Sequence, residues 1–408
     1  MIVDMDYDEG EWFRWGDGFW STPFIWSKLH NFGGTDGLRG NLTRAAELPA
    51  VALRRSATIV GTGFTSEGID QNPAYYDLIL DSHFRSLPYD PTEYVVARAL
   101  RRYNVVGALK DAARASAAVH ATTMAWQLLA ASVYSQDVSV QDYTGVTHLP
   151  GKSTWSFAAD RYTPSAKMCQ LFRAWGALID TAGLLTADSR LLDEPLSYDL
   201  VDVGREVLAQ LATPLSMNLS DALYATPHAD PTAVGVSGSA YLAVLADLDT
   251  LLATDQAFLL GSWLQMARGV GERNGTDCTG PMAPTVPPEV VGCAHFFEWN
   301  ARCQLTSWNP VPKGAHVLPK GPVDYASKHW NGLVHGYYRE RAAKLIAKAK
   351  ALGRAGRRLD AAADGAVRAQ HAFAFQVATT AYLTRPQGDA VEVSRALHAK
   401  YSSQFAAC

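Results

Sequence analysis

What the sequence has little of narrows it first. Its five cysteines (Cys169, Cys278, Cys293, Cys303, Cys408) show no C-x-x-C spacing, so no metal site of the zinc type is expected. Cys278 and Cys293 bracket a Pro-rich loop; they would pair in an oxidising compartment and stand as free thiols in a reducing one. No apolar run reaches the ~18 residues of a membrane span, and no internal repeat of fixed period is visible. Charge of either sign is scarce. With 36 Lys+Arg against 40 Asp+Glu the net charge is −4, which argues against a general nucleic-acid binder. The start, Met1-Ile2-Val3-Asp4-Met5-Asp6, turns acidic at once and lacks a signal-peptide pattern, as expected of a cytosolic protein or the downstream part of a longer one.

What is present is ample for a core: 408 residues, 48% hydrophobic, 19% charged. Residues 1 to about 85 are rich in glycine and aromatics. Ile2–Met5, Phe24–Leu29 and Thr58–Val60 read as short buried strands, far enough apart for crossovers and therefore parallel. Gly61 and Gly63 are expected to break the third strand and leave Glu67 in a Gly-flanked turn. Trp12, Trp15, Trp20 and Trp26 suit either a carbohydrate cleft, where aromatic faces stack on sugar C–H faces, or core packing.

From residue 90 the texture becomes helical. Asp90-Pro91-Thr92-Glu93 is a capping sequence. Further helices are expected near 109–134, 164–181, 197–225, 238–270, 292–306, 322–353, 360–383 and 388–404, with loops at Gln136–Ser156 and Gly271–Val290. The domains are thus 1–88 and 89–408: α/β followed by all-α. The basic run Arg339, Arg341, Lys344, Lys348, Lys350, Arg354, Arg357, Arg358 reads as a solvated helix face. Three sequons, at Asn41, Asn218 and Asn274, lean weakly toward a secretory protein.

Several blocks carry a family resemblance. Phe24-Ile25-Trp26-Ser27-Lys28-Leu29-His30-Asn31-Phe32-Gly33-Gly34 and Gly61-Thr62-Gly63…Glu67-Gly68-Ile69…Gln71-Asn72 resemble the α-N-acetylglucosaminidases of glycoside hydrolase family 89. So do Arg101-Arg102-Tyr103, Phe258–Leu264, Gln304–Trp308, Asp324–Lys328, Gly332–Tyr338 and Gly388-Asp389, in the same order. The resemblance implies the last three βα units of a (β/α)8 barrel followed by a helical domain. It also implies a retaining exo-glycosidase acting on terminal α-linked N-acetylglucosamine, in heparan sulfate or mucin-type glycans, lysosomal or secreted and without a cofactor.

Carried across, Glu67 matches the nucleophile. Leu29, Phe32 and Met5 match walls of the sugar pocket, Trp308 and Tyr325 match helical-domain residues that reach the substrate, and His148 matches a family histidine only in loose register. Retention needs a second carboxyl group about 5–5.5 Å from the nucleophile, which the family carries upstream of Met1. Asp4 and Asp6 do not stand in its register. Residues Asn309–Gly321, with three prolines, separate Trp308 from Tyr325 more widely than in the family, so their relative placement stays open. The alternative is that the chain alone is a non-catalytic fragment that at most binds glycans. Oligomeric state is beyond the sequence.

Overall fold

The computed structural model describes residues 1–4, 16–30, 37–66, 72–85, 89–136, 145–147, 165–186, 194–273, 278 and 286–408. The chain is mostly helical and divides into two compact units. One comprises Met1–Asp142, Ala166–Val203 and Tyr401–Cys408; the other comprises Tyr143–Ser165 and Gly204–Lys400.

In the first unit, β1 (Ile2–Val3), β2 (Phe24–Leu29) and β4 (Ile59–Thr65) form a parallel sheet in the order β1-β2-β4, with β3 (Gly40–Asn41) outside it. Between β1 and β2 comes α1 (Gly16–Phe19), and between β3 and β4 comes α2 (Leu42–Arg55), the crossover that parallel pairing requires. Asn41 caps α2 by accepting from the Arg44 N–H at 3.0 Å. The sheet core is Phe24, Trp26, Ala52 and Ile59, so Trp26 is a packing residue, whereas Trp20 is exposed. Trp12 and Trp15 lie outside the described residues.

The expected break at Gly61 does not occur. β4 continues through both glycines, in register with β2 from Ile25↔Gly61 to Leu29↔Thr65. The reason is close approach: a Cβ on Gly63 would lie 2.5 Å from Ser27 Oγ. The aperiodic texture before residue 85 also hid α2 and α3 (Pro73–Ser82).

The unit is completed by α4 (Pro91–Arg102), α5 (Val105–Ala108), α6 (Ala112–Ala131), β5 (Ser135–Gln136, antiparallel to β3) and α7 (Ala166–Thr186). Asp90 caps α4 from the Thr92 and Glu93 N–H groups at 2.7 and 3.0 Å. Arg102 and Tyr103 close on buried Asp199, at 3.0 and 2.7 Å, and the Trp126 indole donates to the Tyr103 hydroxyl. Burial raises the Asp199 carboxyl pKa against the pull of Arg102 and Arg98. A Cys169–Cys408 disulfide, which the sequence did not announce, ties the carboxyl terminus to α7, and Phe405 stacks on Phe172 beside it.

α8 (Glu194–Leu223) contributes residues to both units. The second holds α9 (Pro231–Leu252), α10 (Leu260–Arg273), α11 (Gly292–Leu305), α12 (Glu340–Arg354), α13 (Ala361–Gln376) and all but the last residue of α14 (Ala390–Tyr401). The expected helix over 238–270 is two helices, because Asp255 starts a separate 3-10 turn by accepting from the Ala257 N–H. The expected helix over 322–353 begins late. Its first half is a loop with Asp324 and Ser327 at left-handed φ (56° and 47°), then a π-helical segment Val334–Arg339 leads into α12. The absence of an apolar run of membrane-spanning length also needs revision. Among the described residues, α9 is long and apolar enough to cross a membrane by length and composition. Within its unit, however, it buries Val234, Tyr241, Val244, Leu245, Leu248, Leu251 and Leu252, spaced as one helix face. Cys278 and Cys293 form a second disulfide against a cluster of Phe296, Trp299 and Cys303, and burial raises the free Cys303 thiol pKa.

Candidate active site

In the first unit the candidate residues follow the carboxyl ends of the parallel strands, the edge where barrel and open α/β enzymes build their sites. Asp4, buried, follows β1 and donates its N–H to the Ile25 carbonyl at 3.1 Å. Leu29 ends β2 and pairs in register with Thr65, the last residue of β4. Next to it, His30 donates its N–H to the Thr65 carbonyl and stacks on Tyr75 at 4.1 Å. Burial first, then Arg39 and Lys28, holds the His30 imidazole well below its ordinary pKa, so the ring is neutral.

Glu67 comes two positions after Thr65 and lies outside the described residues, as do Met5, Phe32 and His148. Five residues beyond Glu67, Asn72 is fully buried. Its amide donates to the Gly37 carbonyl at 2.8 Å and accepts from the Arg39 N–H at 3.0 Å, fastening the segment before β3 to the start of α3. Sequence reasoning quoted Asn72 within a motif but assigned it no task.

In the second unit Trp308 and Tyr325 come together, with ring centroids 5.8 Å apart and planes at 85°. The intervening proline-bearing segment therefore does not part them. Its two limbs are joined at the base, where the Asp324 N–H donates to the Thr306 carbonyl at 2.6 Å. Trp308 follows the end of α11, with its N–H on the Cys303 carbonyl at 2.8 Å and φ at 60°, and its side chain is 47% exposed. An exposed indole on left-handed backbone is an outlier that packing does not explain.

Beneath the pair lies a group the sequence did not disclose. Arg341 is buried and forms a two-pronged ion pair with Asp324, at 3.0 and 2.8 Å, so it does not belong to the solvated basic face expected of it. Arg341 also donates to the Thr147 carbonyl and the Tyr337 hydroxyl. Lys344 reaches Nδ1 of His371, whose Nε2 lies 2.9 Å from the Tyr337 carbonyl. Burial, then Lys344, lowers the His371 pKa to about 3. A second buried charged group joins Arg205 to Glu206 and His329, at 3.6 and 3.3 Å. The blocks that carry the resemblance contain Asp324 and Tyr337 but do not disclose their buried partners, since burial of Arg and His by tertiary contact leaves no sequence period.

The parallel sheet carries candidate residues at its strand ends, and the helical unit displays an aromatic pair with Trp308 exposed. Structures of a family 89 glycoside hydrolase from Clostridium perfringens share the fold. Solved with 2-acetamido-1,2-dideoxynojirmycin, that enzyme gives a TM-score of 0.74 at 19% identity, over 99% of this chain and 42% of the other. With its substrate GlcNAc-alpha-1,4-galactose the TM-score is 0.71 over the same shares, again at 19% identity. Residues 1–86 match the family profile described as Alpha-N-acetylglucosaminidase (NAGLU) tim-barrel domain, and residues 99–400 match its C-terminal domain. Human alpha-N-acetylglucosaminidase is 31% identical over 427 residues, covering all of this chain and 49% of the human protein. The chain belongs to the alpha-N-acetylglucosaminidase family, and it spans about half the length of the relatives it matches.

Proposed function

We propose that this chain is the carboxyl-terminal portion of a retaining exo-α-N-acetylglucosaminidase, with Glu67 as nucleophile. β1, β2 and β4 are then the last three strands of a (β/α)8 barrel, residues 1–88 complete that barrel, and 89–408 form the helical domain. The supporting observation is the shared strand edge: Leu29 ends β2, and Met5, Phe32 and Glu67 fall within three residues after a strand's carboxyl end. Val3 and Val60 are exposed on the two outer strands of the described sheet, which fits strands that pair onward.

In this reading the Glu67 carboxylate attacks the anomeric carbon while a second carboxylic acid, on barrel strands outside this chain, protonates the departing oxygen. The covalent glycosyl ester is then cleaved by water, which that second group deprotonates. By the same resemblance Trp308 and Tyr325 are substrate-contacting residues that grip the apolar face of the terminal sugar, and Leu29, Phe32, Met5 and His148 are carried over as substrate-binding positions. Heparan-type glycans and a lysosomal or secreted location follow the resemblance, and two disulfides fit an oxidising compartment.

The test restores the upstream barrel and follows release of N-acetylglucosamine from an α-aryl glycoside. Glu67→Gln should lower kcat by on the order of 10³-fold or more with an unchanged melting temperature. Undiminished release in that variant sinks the assignment. Turnover by residues 1–408 alone would instead remove the need for a carboxyl group from outside the chain.

A further inference from the structure

The Trp308–Tyr325 pair stands on polar groups that no functional reading has used. Gln376, the last residue of α13, is fully buried and reaches both ends of the turn that presents Trp308. Its Oε1 accepts from the Val311 N–H at 2.8 Å, which fixes the orientation of the amide. Its Nε2 therefore faces Thr306 Oγ1 at 2.9 Å, Ser307 Oγ at 2.8 Å and the Asn309 carbonyl at 3.2 Å. Both hydroxyls are free to accept. Thr306 donates to the Arg302 carbonyl and Ser307 donates to the Asn309 carbonyl.

The other limb is held by charge. Asp324, immediately before Tyr325, receives Arg341 on both oxygens, and Arg341 rises from the junction of the π-helical segment with α12. Such segments are rare and recur at functional sites. Trp308, Asp324 and Ser327 are all non-glycine residues at left-handed φ, so the backbone on both limbs is kept from relaxing by these side-chain contacts.

We infer that Gln376 and the Asp324–Arg341 ion pair are positioning residues: they hold the Trp308–Tyr325 aromatic pair preformed for the sugar face. This rests on the reading of that pair as substrate-contacting. Holding the rings in advance removes the ordering cost from binding, so loss of the support should appear in KM before kcat.

Gln376→Glu keeps the acceptor for Val311 and the side-chain size but turns an oxygen toward the Asn309 carbonyl. Ser307→Ala removes one strut without touching α13. Amide hydrogen exchange over residues 306–327 of the 408-residue chain should quicken about tenfold in both variants, with exchange in α9 and α12 unchanged. In the active enzyme with its upstream barrel, both should raise KM for the α-aryl N-acetylglucosaminide by about tenfold with kcat changed much less. Trp308→Ala separates the two ideas. If it raises KM while Gln376→Glu and Ser307→Ala leave exchange and KM at wild-type values, the positioning role is wrong and the pair's role stands. If Trp308→Ala leaves KM unchanged, the substrate-contacting role falls, and the inference with it.

Discussion

Trp308 combines a left-handed φ of 60°, which a glycine would adopt freely, with a large ring left half in solvent. Selection for stability alone would place glycine there. Trp308→Gly should therefore hold or raise the melting temperature, since relief of ~1–2 kcal/mol of backbone strain offsets the lost ring contact with Tyr325, while KM for the glycoside rises. A fall of several degrees with unchanged KM would mark the indole as a packing residue instead. His371 gives a prediction in pH. Its folded pKa of about 3 lies below the ordinary 6.5, so the unfolded chain binds the extra proton between those values. Its contribution to stability is complete above pH 6.5 and is lost as pH falls toward 3. Lys344→Met removes the second cause of the depression, and the melting temperature of that variant should decline less steeply with acid over this window. An unchanged slope would show that another group governs it.

Among the elements, β4 repays the closest comparison of sequence with structure. The two parallel connections, the strand β2 and the cap at Asp90 could be read from local chemistry, because caps and breakers act within a few residues, whereas the helix start at Asp230 lies some eight residues before the expected one at 238. The continuation of β4 through Gly61 and Gly63 could not, because its reason is the neighbouring strand. Gly63→Ala should destabilise by about 1–3 kcal/mol through contact with Ser27 Oγ. Adding Ser27→Ala should recover most of that loss in a double-mutant cycle. Additive losses would instead place the strain in the backbone. The same limit hid Arg341 and Gln376. Each looks like an ordinary helix residue until Asp324, Val311 and the 306–309 turn are brought to it from other parts of the chain. Trp308 and Tyr325 were legible only through the family resemblance, and their 5.8 Å approach only from the folded loop.

For the whole molecule, the Cys169–Cys408 bond closes a loop of 239 residues. Constraint of so long a loop in the unfolded chain makes Cys408→Ser destabilising by about 2–5 kcal/mol, measured as denaturant midpoint under non-reducing conditions. An unchanged midpoint would place the carboxyl terminus outside the cooperative unit. At this scale the central claim is that residues 1–88 carry the nucleophile of a retaining glycosidase. Its most direct test is mass spectrometry of the enzyme, upstream barrel restored, after inactivation with a slowly turning-over 5-fluoro α-N-acetylglucosaminyl fluoride. The glycosyl ester is expected on Glu67, and a label on any other carboxylate, Asp4 included, would contradict it.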